Sequence, residues 1–198
     1  MSTPALSLLA AALVAAAGPS ADEHLLAGAK LFRSGAYAES LVEFRVAVRL
    51  GSPEATTYAG AALVKLGRPE DAIEVFGGVE GESPDALIEY YRAVAAYDAR
   101  LYQAADRLLA AVGDRSGPKI AQQAVKLRSQ IADALTAEPS TASIDWYLAR
   151  CAEYRREGRT ILAASFCKEV AGLSARRPDH YRSADTLRGA TVSPAVQR

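Results

Sequence analysis

The sequence contains few of the residues that build metal and redox sites. Its 198 residues include two histidines and two cysteines. His24 and His180 lie near opposite ends of the chain, and Cys151 and Cys167 are 16 residues apart. A protein metal site needs three or four converging ligands. We therefore predict no metal site.

Net charge and catalytic motifs are also missing. With 23 Lys+Arg and 23 Asp+Glu, no overall field attracts a phosphate backbone, which argues against a nucleic-acid partner. The chain has no Gly-x-Ser-x-Gly turn, no phosphate-binding loop and no dinucleotide-binding glycine motif. The acidic residues Glu70, Asp71 and Glu74 fall in the first turn of a predicted helix, where the helix dipole favours negative charge. We predict no catalytic residue, no cofactor and no enzymatic activity.

Alanine is the commonest residue, with 42 copies, while Val, Ile and Thr are sparse beside it. Strands prefer β-branched and aromatic residues, so the composition predicts an all-α fold. The chain is long enough for one domain with a sizeable core.

Residues 1–20 are free of charged side chains, and residues 5–17 are Ala, Leu and Val with one Ser. This run is too short to cross a membrane and is typical of a signal peptide. Cleavage is expected after Ala17 or after Ser20. The prediction places the mature protein in the periplasm or outside the cell, in an oxidising compartment. A disordered leader and an uncleaved anchor are the alternatives.

The rest of the chain contains internal repeats. A set of seven positions recurs after 32 residues and, more loosely, after a further 33. The first copy consists of Gly28, Leu31, Gly35, Tyr37, Ser40, Phe44 and Ala47. The second consists of Gly60, Leu63, Gly67, Pro69, Ala72, Phe76 and Val79, and the third of Ala93, Ala96, Arg100, Tyr102, Ala105, Leu109 and Val112. The small first residue lets a second helix approach, the glycine ends the first helix, and the later aromatic residue lines the packing face of the second helix.

This pattern resembles the tetratricopeptide repeat (TPR), a helix-turn-helix unit of about 34 residues. The resemblance implies stacked helix-turn-helix repeats, a TPR-like α-solenoid, over residues 21–175. A fourth copy matches at Cys151, Tyr154, Gly158, Ala163, Cys167 and Val170. It departs from the family pattern at Thr160, where Tyr is usual, and at Cys167, where Phe is usual.

One further helix is predicted between the third and fourth copies, from about Lys119 to Ala137, with Pro118 at its start. It is either an extra element between repeats or the partner of the helix that begins near Thr141. We favour the second arrangement, in which the last helix is a C-terminal capping helix over the open end of the stack.

The two cysteines fall within one predicted hairpin that turns near Gly158. An exported protein favours a disulfide. However, Cys151 should face about residue 165, and the resulting offset from Cys167 favours two buried free thiols. Both states remain open, with free thiols preferred.

The family resemblance also implies a binding site. In TPR proteins the first helix of each repeat lines a concave groove. The matching residues that we select as the partner-binding site are aromatic or basic, namely Phe32, Arg33, Tyr58, Lys65, Tyr90 and Tyr97. Aromatic rings beside a positive pair suit an extended peptide or a terminal carboxylate. Alternatively, some of these tyrosines pack between repeats.

Residues 176–198 form a basic tail, with five Arg and two Asp, whereas residues 22–175 carry 18 positive and 21 negative side chains. We predict that the tail is disordered, either as a solvated terminus or as an arm that touches an acidic partner. The whole pattern predicts a protein interaction module of the bacterial cell envelope that binds a peptide or protein partner in its groove. The alternative is a structural repeat protein that associates with itself. No stable membrane span is expected after cleavage.

Overall fold

The computed structural model describes residues 18–78, 85–112 and 116–176. These ranges contain nine α-helices and no β-strand, so the all-α prediction is confirmed for them. The helices are α1 (Ala21–Ser34), α2 (Tyr37–Arg49), α3 (Glu54–Lys65), α4 (Pro69–Gly77), α5 (Ala86–Asp98), α6 (Tyr102–Val112), α7 (Pro118–Thr136), α8 (Thr141–Arg156) and α9 (Thr160–Ala175). The apolar run of the predicted signal peptide and all but the first residue of the predicted basic tail lie outside the described residues.

The first helix begins directly after the predicted leader. The Ser20 side chain accepts a hydrogen bond from the Glu23 backbone N–H at 3.3 Å, and the Glu23 carboxylate accepts one from the Ser20 N–H at 2.7 Å. This reciprocal cap satisfies two N–H groups that have no partner within the helix. The same backbone hydrogen bond lowers the pKa of Glu23. Ser20 therefore belongs structurally to α1.

Four pairs of consecutive helices form hairpins: α1–α2, α3–α4, α5–α6 and α8–α9. Each hairpin turns through one residue with left-handed backbone, at φ 86° for Gly35, 68° for Gly67, 64° for Arg100 and 73° for Gly158. These four residues occupy the glycine position of the repeat in the sequence alignment of the four copies. Glycine adopts this conformation without steric cost, and Arg100 adopts it despite its side chain.

The predicted close approach within hairpins is confirmed for the first two copies. A Cβ on Gly28 would lie 2.7 Å from the Phe44 ring, and one on Gly60 would lie 2.6 Å from the Phe76 ring. Both phenylalanines are buried. Because Gly28 and Gly60 have no side chain, a full aromatic ring fills the interface between the two helices of each hairpin.

Two apolar clusters make up the core. One spans α2 to α5 around Phe44, Leu63 and Phe76, and the other spans α5 to α9 around Leu109 and Phe166. Helix α5 contributes buried residues to both, so it joins the two halves of the described chain.

The preferred arrangement of the later helices was wrong. Helix α8 packs most extensively on α9, and α7 packs on α6 and α5. Helix α7 is the extra element, and it buries only a narrow stripe of Ala124, Leu127 and Ile131. Helix α9 buries seven residues, so the mostly solvated helix is α7 and not the C-terminal one.

The last hairpin folds back onto α4 and α6. Glu70 accepts hydrogen bonds from the Tyr154 hydroxyl at 2.5 Å and the Arg150 guanidinium at 2.9 Å. Asp71 pairs with Arg159 at 3.0 Å. The acidic first turn of α4 is therefore a docking surface for α8 and α9, in addition to any favourable dipole interaction.

Two carboxylates cap helices across this junction. Glu74 of α4 accepts from the Leu162 backbone N–H at 3.0 Å, in the first turn of α9. Glu169 of α9 accepts from the backbone N–H groups of Gln103 at 2.7 Å and Ala104 at 3.3 Å, in the first turn of α6. Burial raises the pKa of Glu169, and the two N–H donors partly oppose this shift.

The preference for free thiols was also wrong, because Cys151 and Cys167 form a disulfide with a Cα–Cα distance of 5.2 Å. The pair occupies the hairpin positions of Gly28 and Phe44, where the two helices approach most closely. An ideal hairpin would place Cys167 too far along the helix axis from Cys151 for a disulfide. In the structure the two helices are close enough here that the Cα–Cα distance falls within the range that a disulfide spans.

Candidate functional site

The six predicted groove residues lie on α1, α3 and α5, and Tyr58 and Tyr97 make ring contacts with residues outside this set. Tyr58 stacks on Phe44 of the preceding hairpin, with ring centroids 5.6 Å apart. Tyr97, near the C-terminal end of α5, contacts Tyr102 with ring centroids 5.9 Å apart. Arg33 is exposed. Tyr58 thus packs between repeats, which is the alternative that the sequence left open, whereas Tyr97 contacts the other helix of its own hairpin.

Two of the six, Phe32 and Lys65, are brought together by two residues that sequence reasoning did not select, Tyr37 and Tyr91. The Phe32 ring meets Tyr37 edge-on at 5.3 Å and Tyr91 edge-on at 5.8 Å. The Lys65 ammonium lies 5.9 Å from the Tyr37 centroid and 5.4 Å from the Tyr91 centroid. We call these four residues the aromatic-lysine cluster.

Each member of the cluster comes from a different helix. Phe32 is in the last turn of α1, Tyr37 is the first residue of α2, Lys65 is the last residue of α3, and Tyr91 lies in the middle of α5. The left-handed turn at Gly35 brings Tyr37 back beside Phe32. Tyr90 joins the edge of the cluster through Tyr91, at a centroid distance of 6.1 Å.

The charged member of the aromatic-lysine cluster is the Lys65 ammonium. Burial, followed by the nearby hydroxyls of Tyr37 and Tyr90, raises the pKa of Tyr91 to about 12, so this hydroxyl is neutral near pH 7. Lys65 is exposed and has no ion pair within the described ranges. Its positive charge therefore remains available, and cation–π contacts with two rings orient the ammonium.

Acidic groups lie near the remaining tyrosines. Burial, followed by Asp85 and Glu54, raises the pKa of Tyr58. Burial, followed by Asp98, raises the pKa of Tyr90. Burial also raises the pKa of Asp98 itself. Helices α3 and α5 thus present a positive group at Lys65 and have negative groups near Tyr58 and Tyr90.

The repeat contained a signal that would have found Tyr91. Tyr91 follows Tyr58 by 33 residues, the spacing between the second and third copies. Its neighbour Tyr90 was selected because it matches Thr57. Tyr37 is a repeat position that aligns with Pro69 and Tyr102, but the repeat does not mark it as a groove residue, and its place in the cluster depends on the packing of α5 against the first two hairpins.

Together, the aromatic faces and the ammonium can hold an apolar side chain next to a carboxylate. Among the described residues, no group of three or more His, Cys, Asp or Glu side chains could hold a metal ion. In the same ranges, none of the helices combines the length and apolar character needed to cross a membrane. Comparison with known protein families, curated proteins and solved structures yields no match to this chain.

Proposed function

We propose that this protein is a TPR-like helical-repeat module of the bacterial cell envelope that binds a peptide or protein partner through the aromatic-lysine cluster and performs no chemistry itself. The observation that carries the proposal is the convergence of side chains from four helices, α1, α2, α3 and α5, with the Lys65 ammonium over two of the three rings. Such a mixed apolar and positive surface suits a partner segment that ends in a carboxylate beside an apolar side chain.

Two regularities support TPR-like stacking. The left-handed turn residue recurs at all four aligned positions, and the close pair of Gly28 with Phe44 recurs as Gly60 with Phe76. Each hairpin also packs on the next one along the chain from α1 to α7. In repeat arrays, neighbours of this kind share the burial of faces that one repeat cannot cover alone.

The proposal is tested with a library of fluorescein-labelled short peptides, each made with a free C-terminal carboxylate and as the amide. Binding is measured by anisotropy on the full mature chain. We expect carboxylate peptides to bind more tightly than their amides, and Lys65→Ala to weaken the carboxylate peptides about tenfold, the loss of one charge-assisted hydrogen bond. Lys30→Ala, an exposed lysine of α1, is the matched control.

Equal binding of both peptide forms, or equal binding by wild type and the folded Lys65→Ala variant, would refute the proposed site. A double variant, Phe32→Ala with Tyr37→Ala, measures the aromatic contribution separately. Its far-ultraviolet circular dichroism must match that of wild type, because Phe32 also packs against the core.

The proposed envelope location rests on the predicted signal peptide. The role of Ser20 in α1 favours one of the two predicted cleavage sites. Cleavage after Ser20 would remove the residue that caps α1, whereas cleavage after Ala17 retains it. We therefore expect the mature chain to begin at Gly18. Intact mass of the protein from an osmotic-shock fraction checks this, and a chain that keeps residues 1–17 in the cytosol would contradict it.

A second candidate function is self-association through the first hairpin. Leu26 is 69% exposed and Val42 59% exposed. In the next hairpin the residue that matches Leu26 is Tyr58, which stacks on the preceding hairpin. Leu26 thus occupies the matching packing position on α1, which no hairpin precedes among the described residues. Light scattering over a concentration series separates the candidates, since a monomer at high concentration excludes self-association, and Leu26→Glu should dissociate any oligomer.

A further inference from the structure

A second surface lies between α4, α5, α6 and α9. It consists of two adjoining cavities. The inner one has a volume of about 150 Å³ and is mainly apolar, lined among others by Ile73, Phe76, Leu101 and Ile161. The outer one has a volume of about 390 Å³ and includes Arg107, Ala111 and Lys168 in its lining. Arg92, Ala104, Leu108 and Ser165 line both, so the cavities form one groove with an apolar inner end and a basic mouth.

The basic residues at the mouth come from different helices. Arg107 lies on α6 and Lys168 on α9, and both are exposed. Neither makes an ion pair within the described ranges. The carboxylate of Glu169, which Arg107 influences, already accepts two backbone N–H groups of α6. Two positive charges at the mouth therefore lack a bound counter-charge there.

Among the described residues that line it, the mouth also holds one acidic residue. Glu89 of α5 is 1% exposed and accepts a hydrogen bond from Arg92 at 3.0 Å. Within the same set of residues this pair contributes one positive and one negative charge, and Arg107 and Lys168 add two positive charges. Arginine and lysine favour carboxylate and phosphate oxygens through charge-assisted hydrogen bonds.

We propose that this groove binds an amphipathic carboxylate, a small molecule in which a carboxylate is joined to one compact apolar group. The inner cavity is open to solvent on one side, and its volume of about 150 Å³ matches that of an enclosed protein cavity that accommodates benzene, so it fits an apolar group of about that size. Arg107 and Lys168 hold the carboxylate at the mouth. Ligand sites in proteins combine an apolar lining with a few placed polar groups in the same way. The site exists only because α9 folds back onto α4 and α6, and it does not depend on the aromatic-lysine cluster.

The test uses 3-phenylpropionate as the probe and the full mature chain labelled with ¹⁵N. Backbone amide shifts in a two-dimensional NMR titration locate the binding and give its Kd. We expect a Kd of about 1 mM or tighter, with the largest shifts at Leu108, Ala111 and Ser165. The neutral analogue 3-phenylpropanol should bind about tenfold more weakly, because it lacks the charge.

Two variants separate the charge from the cavity. Arg107→Gln with Lys168→Gln should weaken 3-phenylpropionate about tenfold and leave 3-phenylpropanol unchanged. Ser165→Leu fills the junction of the two cavities and should abolish binding of both probes. Lys119→Gln with Lys126→Gln, two exposed lysines of α7, is the control and should bind as wild type does.

Equal affinities for the acid and the alcohol, shifts confined to other helices, or an unchanged Kd in the Arg107→Gln, Lys168→Gln variant would each overturn the proposal. The thermal unfolding midpoints of all variants are compared with that of wild type, so that a loss of binding is interpreted only in a folded chain. Failure of this test leaves the peptide assay at Lys65 unaffected, because the two sites share no residue.

Discussion

At the scale of single residues, one pair of positions explains much of the packing within hairpins. In each hairpin a residue of the first helix meets the residue that follows it by 16. The pairs are Gly28 with Phe44, Gly60 with Phe76, Ala93 with Leu109, and Cys151 with Cys167. In the first two pairs a glycine, which has no side chain, is matched with a phenylalanine ring. In the third pair the methyl group of Ala93 is matched with the smaller side chain of Leu109, and the fourth pair is a disulfide. The four hairpins thus fill this contact in three different ways.

We predict that Gly60→Ala destabilises the protein by about 1–3 kcal/mol, because the new methyl group would overlap the buried Phe76 ring. Adding Phe76→Leu should restore part of this loss, since the double variant reproduces the pair found in the third hairpin. Chemical denaturation gives both values. If Gly60→Ala alone is as stable as wild type, the close contact has no energetic weight.

Arg100 is the non-glycine residue with left-handed backbone in the described ranges. Its guanidinium lies 5.6 Å from the Trp146 ring centroid, and its carbonyl accepts from the Tyr147 hydroxyl. Contacts with α8 thus hold it in a conformation that costs an L-residue about 1–2 kcal/mol.

A comparison of two substitutions isolates this backbone cost. Arg100→Gly and Arg100→Ala both lose the cation–π contact, so we expect the glycine variant to be more stable than the alanine variant by about 1 kcal/mol. At Arg45, an exposed position inside α2, the order should reverse, because alanine is the better helix former. Thermal unfolding of the four variants checks the prediction, and the same order at both sites would contradict it.

At the scale of helices, the α8–α9 hairpin is the element held by the most diverse contacts. It has a disulfide, ion pairs to α4, a carboxylate cap on α6 and an aromatic group in which Tyr154 and Trp146 both contact Phe166. We predict that reduction of the disulfide lowers the free energy of unfolding by about 3 kcal/mol, the loop entropy expected for a closed loop of about 15 residues.

Denaturation with and without a reductant measures this difference. The variant Cys151→Ala with Cys167→Leu provides the control, because it places the side chains of the third hairpin at the contact and cannot be reduced. It should show no dependence on the reductant. Equal stability of oxidised and reduced wild type would show that the disulfide does not constrain the unfolded chain.

The sequence was sufficient to predict features that depend on neighbouring residues, and insufficient for those that depend on distant ones. The turn at Gly35 and the contact of Gly28 with Phe44 follow from spacing within one hairpin, and both were predicted. The acidic residues of α4 appeared to be ordinary first-turn carboxylates, because nothing in their spacing indicates that Arg150 and Arg159 lie against them.

The candidate site shows the same limit. Lys65 and Phe32 were predicted from repeat positions, but their common neighbours Tyr37 and Tyr91 depend on how α5 packs across the earlier hairpins. The disulfide was disfavoured because ideal helix geometry was assumed for a hairpin whose helices approach closely.

At the scale of the whole molecule, buried tyrosines set the stability at high pH. Burial is the largest cause that raises the pKa of Tyr91 to about 12, and it also raises the pKa values of Tyr147 and Tyr154. An unfolded tyrosine titrates near 10. Above that pH the folded state keeps protons that the unfolded state has lost, so the free energy of unfolding falls as pH rises.

We therefore predict that the contribution of the tyrosines to the free energy of unfolding is constant up to about pH 9. From about pH 10 upward we expect the free energy of unfolding to fall. Urea denaturation at a series of pH values measures the slope. Tyr91→Phe should make the slope shallower, because it removes the hydroxyl whose pKa burial raises to about 12. A wild-type slope in Tyr91→Phe would contradict the assignment.

The return of the last hairpin onto α4 and α6 also has a consequence for folding kinetics. Contacts within hairpins join residues close in sequence, whereas the hydrogen bonds of Leu162 to Glu74 and of Gln103 to Glu169 join residues 88 and 66 positions apart. Because loop closure over long separations is costly, the hairpins should form first and the return of α8–α9 should be the slow step. Once formed, this contact joins the helices from α4 through α9 into one cooperative unit. The first hairpin packs mainly on α3, so we expect it to be the part that opens most readily.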